Sequence, residues 1–333
     1  MSSRSELDRL LLRLENEKNA AVRAETAEAL CELAFESPPE QRPDFAPVVV
    51  RLLADQQDEV RCGGLALAGE VLAPVEAREL LARHLSDPVT RVRVEACGRL
   101  ADLALPESRG ALAGALQDAA LQVRFEAARG MVALEHAAGF DVLVEALGTT
   151  ELRFRAAAAL AQLGKKEALE PLRKAFKGWF VPDFDRTQLA GALAVLGDAE
   201  GVEHLYKRIG KRWAIDRPMA VELLGEVRPT GAKDKLLQIL GDRDDSARGT
   251  AARALGRLGD LTAEPWLTAL LGDATVSDDV RLDAAEGLLM LGTESGRQLV
   301  KSLSFKDPQA TAELQAMIRE YDDPDALRKR APL

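Results

Sequence analysis

Apolar residues along this chain recur with a helical period, and the arrangement returns every thirty or so positions. In the stretch Asp278 to Gly292, DDVRLDAAEGLLMLG, Val280 is followed by Ala284, Ala285, Leu288 and Leu291. Those offsets trace one stripe of a 3.6-residue helix, and Gly292 just past the stripe supplies a left-handed stop. Earlier in the chain, Ala247, Ala251, Ala252, Leu255, Leu258 and Gly259 repeat the pattern. Equivalent anchors fall at Val22, Val60, Val92, Val123, Leu152, Asp185, Trp213, Ala247, Val280 and, more weakly, Ala310. A period of about thirty-one residues holds two helices of about ten to twelve residues with their turns, but not three. Each repeat is therefore predicted to be a helical hairpin.

The stripe just described is the second helix of each hairpin, B. The first, A, is the leucine-rich segment before it, around Leu205, Leu236 and Leu267 for example. Turns between A and B carry cap chemistry: Asp58, Asp245 and Asp278 lie two residues before their anchors, and Asp87-Pro88 and Asp307-Pro308 join an N-cap acid to a proline. Gly148, Gly241 and Gly272 are expected to stop A helices. Ser5 to Leu14 reads as the first A helix. The expected organisation is a single solenoid over residues 1–333, with an N-terminal repeat and cap at 1–35, a proline-rich loop at 36–44, repeats over 45–292 and a C-terminal cap and tail over 293–333.

Composition supports this reading. Aromatics make up only 4% of residues, and alanine and leucine dominate, which suits closely packed helices. The fold class is all-α, an α-α superhelix of about nine to ten helical hairpins. The formal charge is −10, from 54 acidic against 44 basic side chains, and that balance argues against a protein held to nucleic acid by its phosphates. Cys31, Cys62 and Cys97 lie at different offsets in their repeats with no CxxC or Cys/His spacing, so they predict small apolar residues of a reducing compartment rather than a zinc site or a disulfide framework. No apolar run reaches membrane-spanning length, and no signal-peptide core opens the chain. A cytoplasmic protein without membrane insertion is expected, and the sequence sets no oligomeric state.

The Val-Arg pair followed by paired alanines and leucines, most complete in DDVRLDAAEGLLMLG, resembles HEAT repeats of the short bacterial kind known as phycobilisome-lyase HEAT-like repeats. The resemblance covers nearly the whole chain. It implies a right-handed superhelix with B helices on the concave side and an Asp/Arg ladder joining neighbours. At helix spacings of 8 to 10 Å, ten pairs would span roughly 90 Å.

Arg23, Arg61, Arg93, Arg124, Arg153, Arg186, Arg248 and Arg281 recur at one offset. Guanidinium groups in a row could grip phosphates, but their step with turn aspartates favours a structural ladder. Glu135-His136 and Glu203-His204 raise the question of a metal. Deoxyhypusine hydroxylases, HEAT-repeat enzymes, hold iron with several His-Glu pairs in the opposite order. Only two pairs occur here, His84 has no adjacent acid, and neighbours in sequence point about 100° apart on a helix, so no metal or cofactor is expected. Nor does the chain carry the tryptophans, aspartate and basic groove of the HEAT-like DNA glycosylases. No phosphate-binding loop or catalytic order stands above the helical background.

One region breaks the pattern. FKGWFVPDFD, Phe176 to Asp185, puts Trp179, Phe180 and Phe184 where other repeats keep Asp, Pro and Gly. The next repeat's turn holds Tyr206, Lys207, Arg208, Lys211, Arg212 and Trp213. Equivalent turns of adjacent repeats stack, so these nine residues are expected to form one aromatic and basic patch. Half of the fourteen aromatics lie between Phe154 and Trp213, and eight of twelve lysines between Lys165 and Lys235. Such a mixture suits a docking surface for an acidic protein segment, and the alternative is a mini-core with Trp179 and Phe184 folded inward. The expected function is a non-enzymatic scaffold or adaptor binding a protein along its concave face and the edge at 176–217. The alternatives are a ligand-handling lyase or isomerase subunit resembling phycobilin lyases and, further off, a nucleic-acid-binding solenoid.

Overall fold

A computed structural model describes residues 3–37 and 42–323. Most of the predicted 36–44 loop's centre, residues 38–41, and the tail over 324–333 lie outside the described residues. Among those described, every regular element is helical, and twenty α-helices alternate as A and B members of hairpins. None is long and apolar enough to cross a membrane. The chain divides into two compact units, Met1–Leu152 and Arg153–Leu333.

The first unit contains α1 (Ser3–Asn16), α2 (Ala20–Glu36), α3 (Ala46–Leu53), α4 (Asp58–Val71), α5 (Pro74–His84), α6 (Thr90–Leu103), α7 (Arg109–Ala115), α8 (Leu121–Ala133) and α9 (Phe140–Ala146). Helix α10 (Thr150–Leu163) carries the division. The second unit continues with α11 (Leu169–Phe176), α12 (Asp183–Val195), α13 (Ala199–Ile209), α14 (Arg217–Val227), α15 (Ala232–Gly241), α16 (Arg248–Leu258), α17 (Glu264–Gly272), α18 (Asp278–Leu291), α19 (Glu294–Ser302) and α20 (Pro308–Asp322). The last two form a full hairpin where the sequence pattern had faded, held by buried Val300, Ala310, Leu314 and Ile318.

The stripe residues form the core. Val60, Val92 and Val123 are wholly buried, as are Ala251, Ala252, Leu255, Ala284, Ala285 and Leu288. Gly259 and Gly292 stop α16 and α18 with φ of 76° and 71°, a conformation only glycine adopts without strain. The expected stops at Gly148, Gly241 and Gly272 are different: their φ is not positive, and Gly241 and Gly272 are the last residues of α15 and α17.

The recurring arginines are spent on the fold. In the first unit Arg23 forks onto Asp55 (3.1 and 3.2 Å), Arg61 onto Asp87 (3.0 and 3.1 Å) and Arg93 onto Asp118 (2.8 and 3.1 Å). Each of these aspartates also accepts a backbone N–H two residues on, from Gln57, Val89 and Ala120, so it closes the turn that leads into its own B helix while holding the arginine of the repeat before. The Arg93 hydrogen bonds hold the Asp118 carboxyl below the ordinary carboxylate range. The N-cap residues of α4 and α8 are Gln57 and Ala120, without a side-chain cap, and Asp58, expected as a cap, lies inside the first turn of α4 as Asp278 does in α18. In the second unit Arg153 meets Asp185 at 3.2 Å, whereas Arg186, Arg248 and Arg281 donate to the carbonyls of Phe176, Leu240 and Leu271.

B helices of the second unit approach closely through glycine. A Cβ added at Gly225 would lie 2.5 Å from the Ala254 carbonyl oxygen, and one at Gly256 would lie 2.5 Å from the Gly287 Cα. Alanine gains about 1 kcal/mol over glycine in a helix interior, but overpacking costs about 1–3 kcal/mol, and here the clash is with backbone that cannot rotate away. Gly256→Ala is therefore expected to lower stability, read as an earlier urea midpoint, despite its better propensity.

Next to Gly225 on α14, Glu226 has a buried carboxylate oxygen with no hydrogen-bond partner among the described residues. Burial, reinforced by Glu222 against the opposing pull of Arg257, pushes its carboxyl up to about 7 from an ordinary value near 4.5. The native state thus binds a proton that the unfolded state releases between those values, and stability falls as pH rises through that window. Glu226→Gln is expected to raise the Tm at pH values above about 7 and to leave it nearly unchanged at pH values near 4.5. Thermal unfolding at the two pH values tests this, and an equal gain at both would refute it.

Candidate functional site

The ridge at 176–217 is built by the ladder arginines. After α11, Gly178 turns the chain so tightly that a Cβ there would lie 2.9 Å from Val181. Arg186 of α12 then gathers the carbonyls of Phe176 (2.9 Å), Gly178 (3.2 Å) and Val181 (3.4 Å). With its backbone oxygens drawn inward, this turn leaves Trp179 and Phe180 projecting into solvent, 87% and 89% exposed. Their rings meet edge to face, centroids 6.3 Å apart. Phe184, in the first turn of α12, is partly exposed, so the inward-folded arrangement of Trp179 and Phe184 is not the one observed.

The following A–B turn is held the same way. Arg217, first residue of α14, donates to the Ile209 carbonyl at 2.7 Å and forks onto Asp245 at 2.6 and 2.7 Å, entirely within the protein. Trp213 therefore lies outside any helix, 91% exposed, next to exposed Ile215. This corrects the sequence register. The anchor of this repeat is buried Asp216, which stands midway between Asp185 and Ala247, and the ladder arginine missing from the sequence set is Arg217. A solvent-facing tryptophan had taken the place of an apolar anchor.

Arg208 clasps the two turns together. It is only 8% exposed and pairs with Asp183, at the start of α12, at 2.6 Å and with buried Asp216. Thr187 of α12 donates to the same Asp216. Burial works against the Asp216 carboxylate, yet the hydrogen bonds from Arg208 and Thr187 outweigh it and keep the group below its usual range. Arg208 is thus a girder of the ridge and leaves the contact set. So does most of Tyr206, whose hydroxyl donates to the Thr230 carbonyl at 2.8 Å.

The remaining basic residues lie at the surface with acidic neighbours. Lys207 pairs with Glu203 at 2.7 Å, Lys177 with Glu200 at 2.9 Å and Arg212 with Asp242 at 3.0 Å, while Lys174 and Lys211 are exposed. Over 165–217 eleven basic side chains stand against eight acidic ones, so this stretch is positive in a chain of net −10. Exposed pairs of this kind exchange partners at small cost, which leaves the cations available to an incoming carboxylate. Beside the ridge an open cleft of about 440 Å³ is bounded by Tyr206, Ile209, Gly210, Gln238 and Ile239.

The two Glu-His pairs serve the fold. His136 caps a turn by accepting from the Ala138 N–H at 3.2 Å, and His204 packs edge to face on Phe176, ring centroids 5.2 Å apart. Burial, then Arg208 and Arg186, lower the affinity of His204 for a proton. Among the described residues no three His, Cys, Asp or Glu side chains group as metal ligands.

Residues 202–289 match the family model for HEAT repeats, and residues 152–178 match that for the PBS lyase HEAT-like repeat. No curated protein matches the chain. Solved structures similar to it include the complex of CpcE and CpcF of phycocyanin lyase from Nostoc sp., at 19% identity and a TM-score of 0.47, covering 75% of this chain and 95% of that one. Human deoxyhypusine hydroxylase gives 19% identity and a TM-score of 0.32 over 75% of this chain and 97% of that one. Importin beta gives 13% and 0.45 over 96% and 55%. The chain is all-α among the described residues and carries HEAT repeats over 202–289 and a repeat of the PBS lyase HEAT-like type over 152–178.

Proposed function

We propose that this protein is a non-enzymatic scaffold whose array of repeats binds a partner protein through its B-helix face and the ridge at 176–217. The observation that carries the reading is the full exposure of Trp179, Phe180 and Trp213 on turns that Arg186, Arg208 and Arg217 hold rigid. Aromatic rings of this size lose little conformational freedom when covered, and a rigid turn presents them already arranged, so both entropy terms favour docking. Lys174, Lys207, Lys211 and Arg212 around the rings select an acidic segment over duplex nucleic acid. Among the polar groups lining the cleft, Arg217 and Asp245 are bonded to each other and Asp242 to Arg212, which favours a docking surface over a reactive one.

Affinity purification from the native cell extract tests this, comparing wild type with a variant carrying Trp179→Ala, Trp213→Ala and Arg212→Ala. The reading expects a specific protein to co-purify with the wild type and to be lost with the variant, while helicity is unchanged. Recovery of a pigment or small metabolite instead would move the protein to the ligand-handling class of the phycobilin lyases.

A further inference from the structure

The B helices of the first unit form a second surface, opposite in charge to the ridge. Helices α2, α4 and α6 line a groove whose two adjoining stretches hold about 750 and 460 Å³ and share Cys31 and Ala66. Its floor is small: Ala27, Cys31, Cys62, Gly63 and Ala66 carry almost no side-chain bulk. Gly63 lets α2 and α4 come so close that a Cβ there would sit 3.1 Å from that of Ala27, and the Cys31 thiol reaches the Gly63 carbonyl at 3.4 Å. Phe35, 77% exposed, stands at one end.

The lining is strongly acidic, with seven glutamates against two arginines. Both arginines are taken, Arg91 by Glu59 at 3.1 Å and Arg99 by Glu95 at 2.8 Å, and two further glutamates of the lining, Glu25 and Glu70, meet Arg13 and Arg42 from outside it. Glu28 and Glu32, exposed along α2, pair with no cation among the described residues. Both thiols in the floor feel this field. Burial first, with help from Glu95, pushes Cys31 and Cys62 each up to about 11.

We propose that this groove docks a basic amphipathic helix of a protein partner, its small apolar face on the alanine, glycine and cysteine floor and its lysines or arginines against the α2 glutamates. Three features select a helix. The groove follows α2 from Ala20 to Glu36, a length of roughly 24 Å at 1.5 Å per residue, which matches four to five turns of a second helix. A floor without bulk lets another helix axis approach to about 8–10 Å. The walls are helices whose backbone groups are already bonded, so an extended peptide would find no partners for its own N–H and C=O groups, whereas a helix brings its bonds with it. Charge sets the sign of the occupant, and Phe35 offers it one larger apolar contact.

The assignment rests on the scaffold reading, for which it names a partner at the B-helix face, but on no residue of the ridge. The probe is a fluorescein-labelled peptide of about 18 residues with alanine and leucine on one face and lysine on the flanks, tested against its glutamate counterpart by anisotropy with the full chain. The lysine peptide is expected to bind, the glutamate peptide not, and affinity to fall roughly tenfold between about 50 and about 250 mM salt. Glu28→Lys with Glu32→Lys, two exposed substitutions, is expected to abolish binding with helicity intact, while Trp179→Ala with Trp213→Ala leaves it unchanged. Cys31 and Cys62 report occupancy directly: the bound peptide is expected to slow their alkylation severalfold. Binding that survives the double charge reversal, or that leaves the thiols reacting at their free rate, overturns the assignment. Equal protection by spermine would replace the helix with a small polycation and overturn it as well.

Discussion

Arg217→Ala is expected to cost the second unit about 3–5 kcal/mol, the loss that follows when one partner of a buried, bidentate ion pair is removed and the other is left behind. Arg217 and Asp245 are each almost wholly covered, and the arginine also holds the Ile209 carbonyl, so the substitution unbinds a turn and strands a carboxylate together. The Asp245 carboxyl lies below its ordinary range chiefly because of the Arg217 hydrogen bond. Its contribution is therefore present above the unfolded carboxylate range and is lost as pH falls through the depressed native value. The destabilisation measured by urea unfolding should be largest near neutral pH and shrink in acid. A loss under about 1 kcal/mol at pH 7 would mean that the ladder is ornamental, as many exposed pairs are.

The ridge variant should behave in the opposite way. Trp179→Ala, Phe180→Ala and Trp213→Ala remove three rings that cover almost nothing, so each is expected to change stability by no more than about 0.5 kcal/mol. Against the partner, each ring at the centre of an interface is worth about 2 kcal/mol or more, roughly thirtyfold in Kd, and the triple variant should bind too weakly to measure. The two readouts together carry the meaning. Lost binding with an unchanged unfolding midpoint identifies a docking surface, whereas a midpoint that falls by several kcal/mol identifies rings needed by the fold. Arg208→Ala belongs to the second class, since it would free buried Asp216 and loosen both turns.

Much of this architecture was legible because the repeat encodes one register many times over. Val60, Val92, Val123 and Val280 each mark a B helix and each is followed by an arginine, so an error of register at one repeat is outvoted by the rest, although only Arg61 and Arg93 of these four fork onto the next repeat's turn aspartate. The error did occur, at Trp213. There the apolar residue faces solvent and the polar ones, Asp216 and Arg217, are buried by pairing with Arg208 and Asp245, the reverse of what hydrophobicity alone assigns. The turn aspartates Asp55 and Asp118 escaped notice for a related reason: each closes its own turn and holds the arginine of another repeat, and that second bond exists only once repeats are stacked. The aromatic cluster of the ridge was visible as a break in composition. The separation of contact residues from girders was not, because Arg208 and Arg212 look alike in sequence and differ only in burial. The groove of the first unit left no sequence signal at all, since Ala27, Gly63 and Ala66 read as ordinary helix-packing residues until three helices are laid side by side.

A photo-cross-linking amino acid placed at Phe180, with a second at exposed Leu261 as the control, tests the central claim most directly. In the native cell the scaffold account predicts a discrete protein adduct at position 180 that is absent at position 261, mapping to an acid-rich segment of the partner and suppressed by Trp179→Ala with Trp213→Ala. No adduct at position 180, or the same adducts at both positions, would contradict it.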